Sequence, residues 1–306
     1  MDYLRRTAAV RKNLREKFPW AQSLVCVAYR HPAGRPDEGI AGHIARYAQG
    51  DDYHDALDRP LEDLETFIRD VTLREGGRAA ETRGYIDTGP ILEKNHAAAA
   101  GLGWVGKNSL LLNESLGSYL LLAEIVTDLP LPADRPAADR CGACTRCMEA
   151  CPTGAIVSPY VLDATRCISY HTIETKTAIP SDIGEQLHGN LFGCDICQEV
   201  CPWNRPIPAD AGPATAIEAA FRTREAYRSI QPGDLAAMPP DEYQRIFRKS
   251  PLKRPGLDKL RESARRISGP ASPETSAGET TRPEAPAPTL RSSEPQNTPS
   301  AGNSKK

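Results

Sequence analysis

Three things are missing from this 306-residue chain. It has no run of about 18 apolar residues, which excludes a membrane-spanning helix. It has little net charge, formally −2, which argues against a generally basic nucleic-acid binder while leaving local patches open. Its N-terminus, MDYLRRTAAVRKNLREKF, is charged throughout and has no apolar core of a secretory signal. The expectation is a cytoplasmic protein, and 40% hydrophobic residues suffice for one large or two modest domains. Set against these absences are nine cysteines. In a reducing compartment that number points to metal or redox chemistry instead of structural disulfides.

Patterning divides the chain. SLVCVAY (23–29) is a short β-branched apolar run and is predicted to be a buried strand. Leu57, Leu61, Leu64, Ile68 and Val71 recur at steps of three and four, the stripe of an amphipathic helix that EGG stops. TGPILEKNHAAAAG is predicted to be a second helix, with Asp87 or Thr88 near its cap, Pro90 in its first turn and Gly101 at its end. SLLLN and SYLLLAEIVTD flank ESLG and predict a hairpin. Residues 1–132 therefore form an α/β (α+β) domain with at least one antiparallel pair. Residues 133–210 have little periodicity, as expected where ligation organises the chain. Residues 211–267 are helical and partly basic. Residues 268–306 are rich in Pro, Ser, Thr and Glu and are expected to be a disordered tail, because they cannot bury enough surface to offset their ordering entropy.

Cys141, Cys144, Cys147 and Cys151 stand in C-x2-C-x2-C-x3-C-P, and Cys194, Cys197 and Cys201 in C-x2-C-x3-C-P. The first is the bacterial ferredoxin spacing for [4Fe–4S] clusters, in which the fourth cysteine ligates the other cluster. The crossover rule assigns Cys141, Cys144, Cys147 and Cys201 to one cluster. Cys151, Cys194 and Cys197 then need a fourth ligand, and Cys167 is the remaining cysteine of the region. Zinc fits poorly, since its sites pair two C-x2-C knuckles. Cys26, inside the apolar strand, reads as an inert buried residue. The clusters form an electron wire, which does not name what is reduced.

GLGWVGKN (101–108) matches G-x-G-x-x-G, but a helix precedes it and a strand follows, the reverse of a dinucleotide site. It reads as a glycine-rich turn whose missing side chains let a bulky ligand approach near Trp104. Asp87 ends a strand-like run before a helix, where a carboxylate usually caps. Asp52 and His54 begin a D-x-H-x-x-G cobalamin motif that Leu57 breaks, so a His-ligated cobalt is unsupported. In residues 245–261, Arg245, Arg248, Lys249, Lys253, Arg254, Lys259 and Arg261 stand against only Asp258. That is either a solvated helical face or a phosphate-binding surface.

Taken together, RYAQGDDYH, YIDTGPILEK, AGLGWVGKNSLLL, CGACTRCMEACPTGAI, CISYHTIE and GCDICQEVCPWN resemble the epoxyqueuosine reductase family over about residues 1–255. The resemblance implies a cobalamin in the α/β domain and two [4Fe–4S] clusters in a ferredoxin-like domain. It implies reduction of the epoxide of epoxyqueuosine in a tRNA anticodon loop to the alkene, releasing water, the last step of queuosine biosynthesis. It also implies that Asp87 is the catalytic acid, and that Arg11, His54, Trp104, Lys107, Asn108, Ser169 and His171 contact cofactors. An acid must be protonated near neutral pH, and burial beside a corrin would raise its pKa, whereas a cap would lower it. A low-potential electron donor, no membrane and a monomeric state are further expectations. Two features depart from the family: a shorter N-terminal segment, and a tail in place of C-terminal helical repeats. A reductive dehalogenase would share the cofactors but commonly carries a twin-arginine export signal. Arg5-Arg6 here has no apolar region after it. A plain electron carrier would not need the first 140 or so residues.

Overall fold

The computed structural model describes residues 2–31, 36, 38–204 and 216–268. The expected tail, from 269 onward, lies outside the described residues, as does 205–215. All described residues fall in one compact unit.

The chain opens with two short helices, α1 (Asp2–Arg6) and α2 (Ala8–Lys12), followed by strand β1 (Ser23–Arg30). Helix α3 (Tyr53–Gly76) realises the predicted stripe. The Asp52 side chain accepts the His54 amide at its start, and Gly77, at φ +70°, closes it in the left-handed conformation that glycine adopts without strain. Strand β2 (Thr82–Ile86) leads through Asp87 to α4 (Glu93–Ala99). Two short strands, β3 (Trp104–Val105) and β4 (Leu111–Leu112), pair with each other, and β5 (Leu120–Thr127) follows.

β5 lies between β1 and β2, antiparallel to both. One face of this sheet packs Val25, Val27, Ile86, Ala123 and Ile125 against Leu57 and Leu61 of α3. The other packs Leu24, Tyr85 and Val126 against Phe18, Trp20 and Ile91. A strand covered on both faces is continuously apolar, which is why YLLLAEIV occupies the centre. The expected hairpin does not form, because that central position takes β5 away from 109–113. Only an Asn113–Gly117 bridge closes the turn between them. The second predicted helix is also shorter than expected. Arg11 donates to the carbonyls of Ile91 and Gly89 and holds 88–92 as a loop, so the helix begins at Glu93 with Leu92 as its uncapped N-cap residue.

The cysteine-rich segment contributes α5 (Arg146–Glu149), a hairpin of β6 (Ile156–Ser158) and β7 (Val161–Leu162), α6 (Ser181–Gly184) and α7 (Ile196–Glu199). Helices α8 (Ala216–Ala220), α9 (Glu225–Ser229), α10 (Pro232–Ala237), α11 (Pro240–Ile246) and α12 (Leu257–Ser268) complete the described chain. Tyr227, Leu235, Phe247 and Leu260 from this region share one core with Ile40, Ile44, Leu191 and Phe192, all fully buried. Each such side chain contributes roughly 1.5–3 kcal/mol, so these helices are integral to the unit.

Arg46 ties the N-terminal part of the chain to the cysteine-rich segment. Its guanidinium reaches Asp195 at 3.2 Å and Glu199 at 2.9 Å, beside α7 and on it, and lies over the Tyr119 ring. Its backbone N–H also donates to Asp195. Removing one partner of a buried charge pair is expensive. Arg46→Ala is expected to cost about 3 kcal/mol, read as a lower denaturant midpoint of the holoprotein under anaerobic conditions.

Candidate active site and iron–sulfur centres

Two cavities sort the cysteines. The smaller, about 190 Å³, is lined by Cys141, Cys144, Cys147 and Cys201 together with Lys107, Asn108, Arg146 and Trp203. The larger, about 400 Å³, is lined by Cys151, Cys167, Cys194 and Cys197. The chain crosses over as the spacing implies: Cys151 leaves its own run for the larger cavity, and Cys201 returns to the smaller. Electrostatic neighbours divide mostly the same way, with a minor influence of Cys147 on Cys197 across the two groups. Burial, then the charges of Cys141 and Cys144, push Cys147 up, while burial, with smaller contributions from Cys167 and Cys151, pushes Cys194 up to about 12. Four crowded, partly buried sulfurs of this kind suit a cationic iron–sulfur core, which is the fit each cavity presents.

Lys107 holds the loop beside the smaller cavity. It is nearly buried, and its ammonium donates to the carbonyls of Gly142 at 2.6 Å and Cys144 at 2.9 Å. Trp104 is buried edge-on against Trp203. The glycines before and after it make room for protein: a Cβ on Gly103 would meet the Leu112 carbonyl at 2.0 Å, and one on Gly106 the Leu112 side chain at 2.4 Å. The turn therefore exists to seat β3 on β4, not to admit a ligand as the sequence suggested.

The larger cavity is also lined by Asp87. Leu120, Leu121, Leu122, Ile156, Leu162 and Tyr47 supply apolar wall. Asp87 follows β2 and has φ +55°, uncommon for a residue with a side chain. It caps no helix. Its carboxylate accepts the Tyr53 hydroxyl at 2.9 Å. His54, stacked on Tyr53, gives its Nδ1 to Asp52 at 2.7 Å and has Nε2 4.0 Å from Asp87. The bond to Asp52 is the largest influence raising the His54 pKa. The geometry can orient a carboxyl group at the exposed rim of a largely apolar chamber whose lining also includes four thiols.

The remaining anticipated cofactor contacts are spread out. Asn108 borders both cavities, and Ser169 lines the larger. Arg11 acts at one remove through the 89–91 carbonyls. His171 is buried, with Nε2 on the Thr165 carbonyl and Nδ1 unpartnered among the described residues. In the basic stretch, Arg254 pairs with Glu174, Lys259 with Glu262 and Arg261 with the Met238 carbonyl. Those three cations thus serve the fold. Sequence reasoning missed Tyr53, Glu93 and Glu124. Glu124 had a signal: it is the only charge within YLLLAEIV.

Residues 140–204 match the family model described as a 4Fe-4S double cluster binding domain. That makes the chain an iron–sulfur redox protein with an α+β companion fold. Residues 11–88 match the model described as epoxyqueuosine reductase QueG. The epoxyqueuosine reductase of Synechocystis sp. is 43% identical over 257 residues, 83% of this chain and 86% of that one. That of Gloeobacter violaceus is 40% identical over 262 residues, 85% of this chain and 80% of that one. A crystal structure of an epoxyqueuosine reductase with an epoxyqueuosine-modified tRNA-Tyr stem loop is similar over 86% of this chain and 73% of that one, with TM-score 0.72 and 29% identity. A Bacillus subtilis epoxyqueuosine reductase whose catalytic aspartate loop is swung out of the active site has TM-score 0.70 and 29% identity, over the same shares of the two chains, 86% and 73%. The chain belongs to the epoxyqueuosine reductase family. Among the described residues no helix is long and apolar enough to cross a membrane.

Proposed function

We propose that the chain removes the epoxide oxygen of epoxyqueuosine in a tRNA anticodon loop, consuming two electrons and two protons and giving queuosine and water. The observation that carries this reading is the shared chamber: Asp87 and the thiols of Cys151, Cys167, Cys194 and Cys197 line one cavity. These four are the ligands of the cluster nearer the substrate, and Cys141, Cys144, Cys147 and Cys201 hold the outer one. The apolar wall of Leu120–Leu122, Ile156 and Leu162 suits a corrin face, with Asn108 and Ser169 at its polar edge. A cobalamin held there would take electrons singly from the clusters and supply them as a pair.

The chain's own residues do the rest. Asp87 gives a proton to the oxygen as the C–O bond opens, and Tyr53 aims it. Lys107 fixes the outer loop of thiolates. Residues 1–132 act as the cobalamin domain, 133–210 as the ferredoxin-like one, and 211–267 adds cations for RNA phosphates. The related structure with a modified stem loop supports tRNA as partner, and a tRNA substrate supports a cytoplasmic setting. A low-potential donor feeds the outer cluster, and the protein works as a monomer.

The test is a single-turnover assay on an epoxyqueuosine-containing anticodon stem-loop, with cobalamin-loaded protein reduced anaerobically. Conversion to queuosine is expected. Corrinoid binding without conversion would instead favour a small-molecule substrate of the dehalogenase kind, and failure to bind corrinoid would leave an electron carrier.

A further inference from the structure

Two carboxyl groups near Asp87 have no part in the reaction described so far. Glu93, the first residue of α4, lines the large cavity, and the Asp87 backbone N–H donates to its carboxylate. Glu124 is central in β5 and 0% exposed, and neither carboxylate oxygen has a hydrogen-bond partner among the described residues. An isolated buried carboxylate is costly, so such a group is held neutral.

Pleating puts Leu122, Glu124 and Val126 on one face of β5. Leu122 borders the cavity and Val126 lies in the cluster with Ile91, while α4 packs across β5 and β1. Glu124 thus lies beneath α4, one pleat behind the cavity wall. Its same-face neighbours across the ladder are Cys26 and Tyr85. On α4, Glu93 and His96 are three residues apart and share a face. His96 and Cys26 both line a third cavity, of about 490 Å³, bounded by Gln22–Cys26 and Leu131–Asp134.

We propose that Glu93 and Glu124 form a proton line that reloads Asp87 from this third cavity, with His96 at its outer end. This rests on the reductase reading. Each epoxide consumes two protons, and Asp87 carries one at a time. RNA seated over the rim shuts Asp87 off from bulk water, and the line reaches it from the opposite side. Glu93 passes its proton to the Asp87 carboxylate, Glu124 reprotonates Glu93, and a water in the third cavity, or His96, reprotonates Glu124. Every hop moves one proton between oxygen or nitrogen bases, and solvent is the source.

The charge states suit the task. Burial first, then Glu93 and Asp87, pushes Glu124 up to about 8. Burial first, then Asp87, pushes Glu93 up to about 7, with Arg11 and Lys94 opposing. Cys26, pushed up to about 12 mainly by burial, stays a neutral thiol, and burial lowers the His96 pKa. Tyr85 is the other titratable group facing Glu124 across the ladder.

Glu124→Gln preserves shape and neutrality but cannot relay a proton. Its multiple-turnover rate is expected to fall about tenfold or more, with KM for the stem-loop unchanged. The wild-type rate should decline as pH rises through about 8, where Glu124 ionises, and the variant should lose that inflection. An infrared titration of the resting protein, which needs no turnover, should show a protonated-carboxyl band lost near pH 8 in the wild type and absent in Glu124→Gln. Glu124→Asp should recover part of the rate. If wild type reduces the RNA and Glu124→Gln matches it in rate and pH profile, the proton line is wrong while the reductase reading stands. If wild type leaves the RNA unreduced, it is the reductase reading that fails.

Discussion

Asp87→Asn is expected to lose about 10²–10⁴-fold in single-turnover epoxide reduction, the range that a positioned general acid supplies. Iron content and corrinoid binding should stay at wild-type levels. The substitution isolates the proton. Asparagine has the shape of aspartic acid, can accept the Tyr53 hydroxyl on its side-chain oxygen, and can hydrogen-bond the substrate, but it cannot transfer a proton. Backbone conformation makes it the right probe. Asp87 has φ +55°, and asparagine tolerates this left-handed region better than other side chains do. Asp87→Ala would add strain to a loop that also positions Glu93, so its loss of rate would be ambiguous. Equal rates for wild type and Asp87→Asn would mean that another donor protonates the oxygen, and Tyr53 would be the next candidate. The comparison should be made at the pH optimum and again about one unit lower. Raising the proton concentration does not restore a missing transfer group, whereas it would relieve a merely slowed reprotonation.

The double-cluster domain was legible because most of its signal is local: three thiolates at two-residue gaps wrap one centre, and the second C-x2-C-x3-C-P run repeats the signal within 140–204. Helix α3 was legible for a similar reason, since its stripe and its terminal glycine lie within one segment. What the sequence concealed was non-local. Whether 120–127 pairs with 109–113 or is inserted between 23–30 and 82–86 depends on contacts far along the chain, and the apolar pattern is the same in either case. The start of α4 was misplaced because Arg11, about 80 residues away, holds the preceding carbonyls. The helical pattern in 88–92 had no means of showing it. Asp87 drew attention from the sequence, but its geometry did not: a capping carboxylate and one held by a tyrosine from another helix occupy the same place in a string of letters. Glu124 shows the reverse. A lone carboxylate inside YLLLAEIV breaks the local pattern, and such breaks are where function is expected to override stability.

Cysteine substitutions should have the second large effect, because they discriminate crossed from uncrossed ligation. If ligation follows the two cavities, Cys201→Ala removes the cluster held by Cys141, Cys144 and Cys147 and leaves the other intact. About half the iron is expected to be lost, and one of two spectroscopically distinct reduced clusters should remain. Cys151→Ala should remove the other cluster, the one sharing the chamber with Asp87. In an uncrossed scheme Cys151 would complete the first run, and the two variants would exchange their spectra. Reduction of RNA should fall to background in both, but for different reasons. Without the inner cluster no electron reaches the chamber at all. Without the outer one, the inner cluster is left some distance from the donor, and a small, strong chemical reductant able to enter the cavity should restore partial turnover to Cys201→Ala alone. Cys26→Ala is the control. Its thiol faces Glu124 in the sheet, away from both cysteine-lined cavities, so its iron content should equal that of wild type. Metal binding contributes directly to the stability of domains organised by ligation. Both cluster variants should therefore also unfold at lower denaturant, and Cys151→Ala more so, because its site adjoins the Arg46–Asp195 tie between the two halves of the chain.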